Sequence, residues 1–312
     1  MTRSVAVRVP ATSANLGPGF DTLGLALSVY DELVVTELPG PGLEISVSGE
    51  GAADVPTDAS HLVVRAMAYA YEAFGRTMPG VRLEAVNAIP HGRGMGSSGA
   101  AVVAGLLAAK ELLAGDVEIG EDALLRLATE LEGHPDNVAP ALFGGLTIAW
   151  VDERGGPQHK KLLVHRGVAP LVFVPQFTMS TSVARGLDPL QVPREDAVFN
   201  LSRSALLVAA LTQSPDLLLA ATEDKLHQAY RAPAMLETDK LVRALRAEGF
   251  AAVISGAGPS VLVLADGPGR RLEAAKIAAV TTDTPWDARM LAVDVRGGMV
   301  RDHTEGSTAT VI

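Results

Sequence analysis

The residues with the clearest chemical potential form a run of glycines and serines. Four glycines surround two adjacent serines: Gly92, Gly94, Gly96 and Gly99 around Ser97 and Ser98. Glycine tolerates positive φ and lets an anion approach bare N–H groups, and a helix that begins near Ser98 adds about half a positive charge at its N-terminus. The run therefore predicts a loop that binds the phosphates of a polyphosphate ligand.

The segments beside this loop predict a junction between a strand and a helix. Residues 81–86 alternate apolar and polar side chains as a strand does, and residues 100–113 are rich in Ala and Leu, as a buried helix is. No Lys-Ser or Lys-Thr pair closes the glycine run, which excludes a Walker A motif. Residues 94–99 fit the G-x-G-x-x-G dinucleotide pattern, but only the short segment 116–119 follows where that fold needs a second strand. A proline-led loop with twin serines, as in small-molecule kinases, fits better, and a tight packing turn is the structural alternative.

Two further polar clusters lie in irregular segments. Asn15 and Asp21 stand in a glycine-framed loop, where they face either a ligand or the local backbone as an Asx turn. His134, Asp136 and Asn137 follow a predicted helix, and capping of the next helix is their ordinary role. Because Mg²⁺ is held by one or two carboxylates together with nucleotide phosphates, one nearby Glu and one hydroxyl of the glycine loop would suffice for a magnesium site.

Two arginines and a further glycine-rich segment are candidate binding residues whose role depends on the chemistry of the ligand. Arg185 and Arg231 are surface residues by base rate and become binding residues if the ligand carries a carboxylate, which guanidinium binds in a bidentate way. The segment from Gly256 to Gly258 joins two apolar runs and in isolation predicts a hairpin turn.

Composition narrows the class of protein. The 312 residues are 48% hydrophobic, enough for a large core and two domains in close contact. The formal net charge of −10 argues against nucleic acid and anionic membranes as partners. The absence of cysteine excludes disulfides and thiolate metal sites, and the histidines lack the spacing of zinc ligands. No apolar run reaches the roughly 18 residues that cross a bilayer, and no signal peptide is evident, so we expect a cytoplasmic protein.

Patterning along the chain predicts an α+β protein. Strands are expected at residues 4–9, 29–37 and 43–48, with no regular structure over residues 10–24. The polar segment 151–161 predicts a domain boundary that divides the chain into residues 1–156 and 157–312. The second half predicts helices on an antiparallel sheet, with strands that include residues 162–164 and 290–295.

Together these motifs resemble the GHMP small-molecule kinases, and within them the homoserine kinases. The resemblance covers nearly the whole chain and is carried by residues 9–21, 90–98, 134–137 and 256–259. It implies an α+β GHMP kinase fold, with an N-terminal domain like ribosomal protein S5 and a ferredoxin-like α/β sandwich at the C-terminus. The active site would lie between the two domains.

The resemblance also implies an activity: transfer of the γ-phosphoryl group of ATP to the side-chain hydroxyl of L-homoserine, for threonine biosynthesis. It places ATP on a glycine loop formed by Pro90, His91, Gly92, Arg93, Gly94, Met95, Gly96, Ser97, Ser98 and Gly99. It assigns Mg²⁺ to Ser98 and Glu132, with Glu130 as the alternative carboxylate. It surrounds the amino acid with Asn15, Asp21, His134, Asp136, Asn137, Arg185, Arg231, Gly256 and Gly258.

The catalytic group implied is His134, Asp136 and Asn137, with Arg93 as a further source of positive charge. The proton acceptor stays open between His134, Asp136 and the transferred phosphate itself. Relatives imply a homodimer. Rival interpretations are another GHMP kinase, a non-catalytic amino-acid or nucleotide sensor on the same fold, and a dehydrogenase.

Overall fold

Two long antiparallel strands, β1 (Ser4–Asn15) and β2 (Gly19–Glu37), form the centre of the first sheet in a computed structural model that describes residues 3–302. The other strands of this sheet are β3 (Leu43–Gly49), β4 (Val81–Asn87), β5 (Leu146–Val151), β6 (Pro157–Leu162) and β11 (Met299–Asp302). The seven strands are ordered β11-β1-β2-β4-β3, with β5 paired to β2 and β6 paired to β5.

Helices cover one face of this sheet and form the larger core. They are α1 (Leu62–Ala73), α2 (Ser97–Leu112), α3 (Glu121–Glu132) and α4 (Pro135–Phe143). The Ala- and Leu-rich helix α2 is buried on most of its circumference, because it lies between β1 and the helices α1, α3 and α4. Its burial confirms the strand-to-helix junction predicted around the glycine loop.

The second sheet has four strands in the order β10-β7-β9-β8, and every neighbouring pair is antiparallel. Its strands are β7 (Val168–Pro175), β8 (Ala252–Ile254), β9 (Val261–Asp266) and β10 (Trp286–Met290). The helices of this half are α5 (Thr181–Gly186), α6 (Arg194–Thr212), α7 (Leu218–Ala221), α8 (Gln228–Arg231), α9 (Leu236–Ala247) and α10 (Pro268–Thr281). A central first strand and a last strand at the edge are typical of the ferredoxin-like arrangement, which confirms the predicted sandwich.

Strand β7 joins the two halves, because both of its faces are buried. Val172 and Val174 belong to the larger core that contains the helices of the first sheet, whereas Leu171 and Phe173 pack in a second core against α9 and α10. Alternation of side chains along a strand sends successive residues to opposite faces. The halves are therefore in close contact, as the composition predicts.

Several predicted segments differ from the structure. Residues 10–24 are not irregular, since all of them except residues 16–18 belong to β1 or β2. The strands accommodate Pro and Gly in this region because their pairing shifts register twice, at Pro10/Ala11 and at Ala14/Asn15. The strands expected at 162–164 and 290–295 lie earlier, in β6 and β10, because edge strands with polar side chains lack an apolar pattern.

The division after residue 156 stays a prediction. In the structure that point is the turn of the β5–β6 hairpin, and both strands belong to the first sheet, as does β11 near the end of the described residues. Among residues 3–302, no helix combines the length and the apolar character needed to cross a membrane.

Candidate active site

A cleft that is open to solvent lies between the two halves of the molecule. Its walls come from the end of β1, the glycine loop, the start of α4 and three segments of the second half. It brings together these predicted site residues: Asn15, Gly92, Gly94, Gly96, Ser97, Ser98, Glu132, His134, Asp136, Asn137, Arg185, Arg231, Gly256 and Gly258.

The glycine loop adopts a backbone that side chains would disfavour. Gly92, Gly94 and Gly96 have φ values of 62°, 70° and 71°, and Gly96 is the residue before the first turn of α2. A Cβ on Gly96 would overlap the Thr12 hydroxyl, and one on Gly94 would overlap the carbonyl oxygen of Ser255. The loop therefore depends on glycine both for its φ values and for its close packing on two neighbouring segments.

Hydrogen bonds hold this loop against both halves. The backbone N–H of Thr12 donates to Met95 O at 3.0 Å, and the hydroxyl of Ser255 donates to Gly94 O at 2.6 Å. The N-terminus of α2 then points its free N–H groups and partial positive charge at the cleft, the arrangement that binds phosphate in other proteins.

Some predicted residues of the loop do not line the cleft: Pro90, His91, Arg93, Met95 and Gly99. Met95 is fully buried in the core. The Arg93 guanidinium donates to the carbonyl oxygens of Pro175 and Gln176, both at 2.8 Å, and of His91 at 3.1 Å. Arg93 therefore links the glycine loop to the end of β7 by hydrogen bonds and does not face the cleft.

The Ser98 hydroxyl donates to Glu132 Oε2 at 2.9 Å inside the cleft. Burial raises the pKa of Glu132, although the Ser98 hydrogen bond and nearby His134 act to lower it. Glu130 lies elsewhere, accepts a hydrogen bond from the Tyr69 hydroxyl at 2.8 Å and does not line the cleft.

The described part of the chain has no group of three or more His, Cys, Asp or Glu residues arranged to hold a metal ion. A magnesium ion that shares its ligands with nucleotide phosphates does not need such a cage. The Glu132 carboxylate, together with the Ser98 hydroxyl in the first turn of α2, fits that mode of binding.

His134 and Asp136 form a close pair at the start of α4. His134 is the residue before the helix, and its Nδ1 contacts the Oδ1 of buried Asp136. Burial acts to lower the pKa of His134, but the hydrogen bond and the charge of Asp136 outweigh it, so the pKa is raised. Asn137 lies beside this pair and accepts a hydrogen bond from the Thr12 hydroxyl at 2.9 Å.

Each of the two arginines in the cleft is held by an aspartate. Arg185 donates to both carboxylate oxygens of Asp21 at 2.7 and 3.1 Å, and Arg231 donates to both of Asp188 at 2.5 and 2.9 Å. Asp21 itself does not line the cleft. Arg231 is almost fully buried, with 1% of its surface exposed, so it is not the surface residue that its base rate predicts.

Asn15 joins the turns of the two halves. Its Nδ2 donates to Gly256 O at 3.0 Å, and its Oδ1 accepts from the backbone N–H of Asp21 at 3.0 Å. Asn15, Leu16 and Asp21 all have positive φ, values of 68°, 51° and 52°. Such backbone strain is maintained only where surrounding contacts enforce it, and it is concentrated at functional sites.

Five residues of this region lie outside the set that the sequence predicts. Ala14, Met179, Thr181 and Ala257 line the cleft, and Asp188 holds Arg231. Met179 lies between β7 and α5, and Thr181 is the first residue of α5, in a segment without a glycine pattern or a cluster of charges. No local signal in the sequence marks them.

Two family models match the chain, the GHMP kinases N terminal domain over residues 61–145 and the GHMP kinases C terminal region over residues 205–279. The first match contains the glycine loop and the His134–Asp136 pair. Together the two matches confirm the GHMP kinase fold that the motifs imply.

Curated relatives agree over almost the full chain. The homoserine kinase of Clavibacter michiganensis subsp. michiganensis is 67% identical over 305 residues, which cover 98% of this chain and 96% of that protein. The homoserine kinase of Leifsonia xyli subsp. xyli is 64% identical over 298 residues, covering 96% of this chain and 92% of that protein.

A crystal structure of homoserine kinase from Cytophaga hutchinsonii superposes with a TM-score of 0.84 at 29% identity, covering 96% of this chain and 98% of that chain. The superposed residues therefore include most of both sheets. The chain therefore belongs to the homoserine kinase family of the GHMP kinases.

Proposed function

We propose that the protein transfers the γ-phosphoryl group of ATP to the side-chain hydroxyl of L-homoserine, giving O-phospho-L-homoserine and ADP for threonine biosynthesis. The observation that carries this proposal is a single cleft with the glycine loop and the Ser98–Glu132 pair on one side and two arginines on the other. The first group suits a nucleotide, and the second suits the carboxylate of an amino acid. The homoserine kinases at 67% and 64% identity support the same substrate.

The glycine loop and the N-terminus of α2 would bind the ATP phosphates through backbone N–H groups. Ser98 and Glu132 would hold Mg²⁺ beside them, and the bound ion would neutralise charge on the phosphate oxygens during transfer. The burial of Glu132 favours a bound cation there, because an isolated carboxylate is poorly solvated in the cleft.

Arg185 and Arg231 would bind the carboxylate of the substrate. Arg231 donates to Asp188 with Nε and with one N–H of Nη2, which leaves both N–H groups of Nη1 and the second one of Nη2 for a ligand. Arg185 donates to Asp21 with one N–H of each Nη, which leaves Nε and the second N–H of each Nη. Asp136, which lines the cleft, would attract the ammonium group, and Asp21, which does not line it, would act through Arg185. When the carboxylate and the ammonium of the substrate are both bound, its side-chain hydroxyl can be directed at the γ-phosphorus, which lowers the entropic cost of in-line attack.

The His134–Asp136 pair would act near the reacting atoms. Phosphoryl transfer has a loose transition state, so positioning and charge neutralisation contribute more than a strong base does. The raised pKa of His134 favours its cationic form, which would stabilise negative charge on the transferred group.

The test is the release of ADP by purified protein with Mg²⁺ and ATP across L-homoserine, D-homoserine, L-serine, L-threonine, mevalonate and shikimate. We expect activity with L-homoserine to exceed all others, with the phosphomonoester identified by phosphorus NMR. Preference for another acceptor would overturn the proposal. Arg243→Ala is a suitable control for arginine substitutions in the cleft, since Arg243 is an exposed residue of α9 with 75% of its side-chain surface accessible.

We further propose that the protein acts in the cytoplasm and as a homodimer, as the family resemblance implies. Light scattering of the purified protein with and without ATP tests the dimer, and fractionation of the source cells tests the location. A mass of one chain at assay concentrations would contradict the dimer.

A further inference from the structure

Phe20 lies beside both arginines of the cleft. Its ring centroid is 5.2 Å from Cζ of Arg231 and 5.9 Å from Cζ of Arg185. A guanidinium within about 6 Å of an aromatic ring is attracted by the negative charge of the ring face. One ring therefore lies close to both cations.

The position of Phe20 is itself fixed by the second half of the chain. The ring stacks on His227 with centroids 5.0 Å apart and an angle of 25° between the planes. His227 is fully buried, and its Nε2 donates to Gly17 O at 2.9 Å. Asn200 donates to Pro18 O at 2.8 Å. The turn that carries Phe20 is thus held at two carbonyls and at the ring.

The aspartates and the ring constrain the guanidiniums in different ways. Asp21 and Asp188 each bind one guanidinium edge to edge and fix its hydrogen-bonding direction. Contact with an aromatic ring adds a preference for a particular separation between cation and ring. Neither aspartate contacts both arginines through hydrogen bonds in the described residues, whereas Phe20 lies near both.

We infer that Phe20 is a positioning residue, which sets the two guanidiniums at the spacing that one substrate carboxylate needs. This inference rests on the proposed function, because it assumes a carboxylate ligand. It predicts that the ring contributes to recognition of the carboxylate and not to binding of ATP. A ring that only fills space would affect all substrates alike.

The experiment compares two acceptors, L-homoserine and its carboxamide, in which a neutral group replaces the carboxylate. Phe20→Leu retains an apolar side chain but removes the ring. We expect the ratio of kcat/KM for homoserine to kcat/KM for the carboxamide to fall about tenfold, with the KM for ATP unchanged. Phe20→Tyr, which keeps the ring, should restore most of the ratio.

A matched control is available in α6. The ring of Phe199 also lies beside two cations, with its centroid 4.3 Å from Cζ of Arg203 and 4.7 Å from Nζ of Lys225, but neither cation lines the cleft, whereas Arg185 and Arg231 do. Phe199→Leu should leave the ratio unchanged.

The ratio does not depend on the fraction of folded enzyme, because both substrates are assayed on one sample. If Phe20→Leu yields no soluble protein, Phe20→Met provides the same comparison. An equal fall for both substrates would overturn the role of Phe20. Absence of homoserine activity in the unaltered protein would instead overturn the proposed function.

Discussion

The hydroxyl of Ser98 donates a hydrogen bond to Glu132 at 2.9 Å and thereby connects the first turn of α2 with the last residue of α3. The same serine belongs to the glycine loop. A carboxylate and a hydroxyl are thus held where the phosphates of a nucleotide on the loop would lie. This hydrogen bond brings together two residues that are 34 positions apart, as the magnesium site that we propose requires.

Replacing Glu132 by Gln tests that assignment. Gln keeps the size and a hydrogen-bond acceptor for Ser98 but removes the charge that would hold Mg²⁺. We expect kcat at fixed Mg²⁺ to fall by about a hundredfold, and the Mg²⁺ concentration for half-maximal rate to rise. ADP release measured over a series of Mg²⁺ concentrations gives both values.

Glu130→Gln is the control, because Glu130 lies outside the cleft and pairs with Tyr69. We expect its rate to stay within about twofold of the unaltered protein, as is usual for an exposed site. A larger defect for Glu130→Gln than for Glu132→Gln would reverse the choice of ligand.

The glycine loop allows a second prediction. Gly96→Ala would place a Cβ on the Thr12 hydroxyl at a φ of 71°, a backbone conformation that costs a side chain about 1–3 kcal/mol when enforced. The loop must shift to relieve the overlap, so we expect the KM for ATP to rise about tenfold or more while the KM for homoserine changes less. Steady-state kinetics with each substrate varied in turn measures this.

Gly269→Ala in α10 is the matched control, since a Cβ there meets no heavy atom within 4 Å. Alanine is also the better helix former, so the control protein should be as stable as the parent. If Gly96→Ala binds ATP as tightly as the control, the close packing at Thr12 does not determine the shape of the loop.

The glycine loop was also the feature that the sequence predicted best. Its glycines, its serines and the helix after it follow local rules, namely positive φ at turns and an Ala- and Leu-rich buried helix. Features that depend on one short segment could therefore be predicted from the sequence alone.

Ion pairs between residues far apart in the sequence could not be predicted in this way. Asp188 is 43 positions from Arg231, Asp21 is 164 from Arg185, and only the folded chain brings each pair together. The orientation of Arg93 likewise depends on the end of β7, which its own segment does not reveal. The bounds predicted for edge strands such as β6 were wrong for a different reason, because the side chains of these strands are polar and show no apolar pattern in the sequence.

The Arg231–Asp188 pair yields a third prediction, which separates stability from binding. Arg231→Ala leaves the Asp188 carboxylate, whose side chain is 16% exposed, without its cationic partner. Breaking a buried pair costs about 3–5 kcal/mol of unfolding free energy, and loss of the guanidinium removes one carboxylate ligand. We expect both a lower unfolding free energy in urea and a higher KM for homoserine.

The double variant Arg231→Ala with Asp188→Ala distinguishes these effects. Removing both charges relieves the unpaired carboxylate, so stability should recover in large part, whereas the KM for homoserine should stay high. Recovery of the KM along with stability would show that Arg231 acts only through the fold.

The last prediction concerns pH and His227. Burial lowers the pKa of this imidazole below its ordinary value of 6.5, and the charge of Arg231 acts in the same direction, although Asp224 opposes them. The unfolded chain therefore binds a proton at His227 at a higher pH than the folded protein does. Stability from this group is fully present above pH 6.5 and is lost as the pH falls below it.

His227→Gln removes this titration while Gln can still donate to Gly17 O. We expect the unaltered protein to lose about 1 kcal/mol more unfolding free energy than the variant between pH 7.5 and pH 5.5, because one group contributes at most about 1.4 kcal/mol per pH unit. Urea denaturation at the two pH values, followed by circular dichroism, measures the difference. His61, whose pKa burial also lowers, is present in both proteins, so its contribution cancels in the comparison. Equal losses in the two proteins would mean that His227 takes up its proton at the same pH in the folded and unfolded chains, and that the stack of His227 on Phe20 tolerates the charged ring.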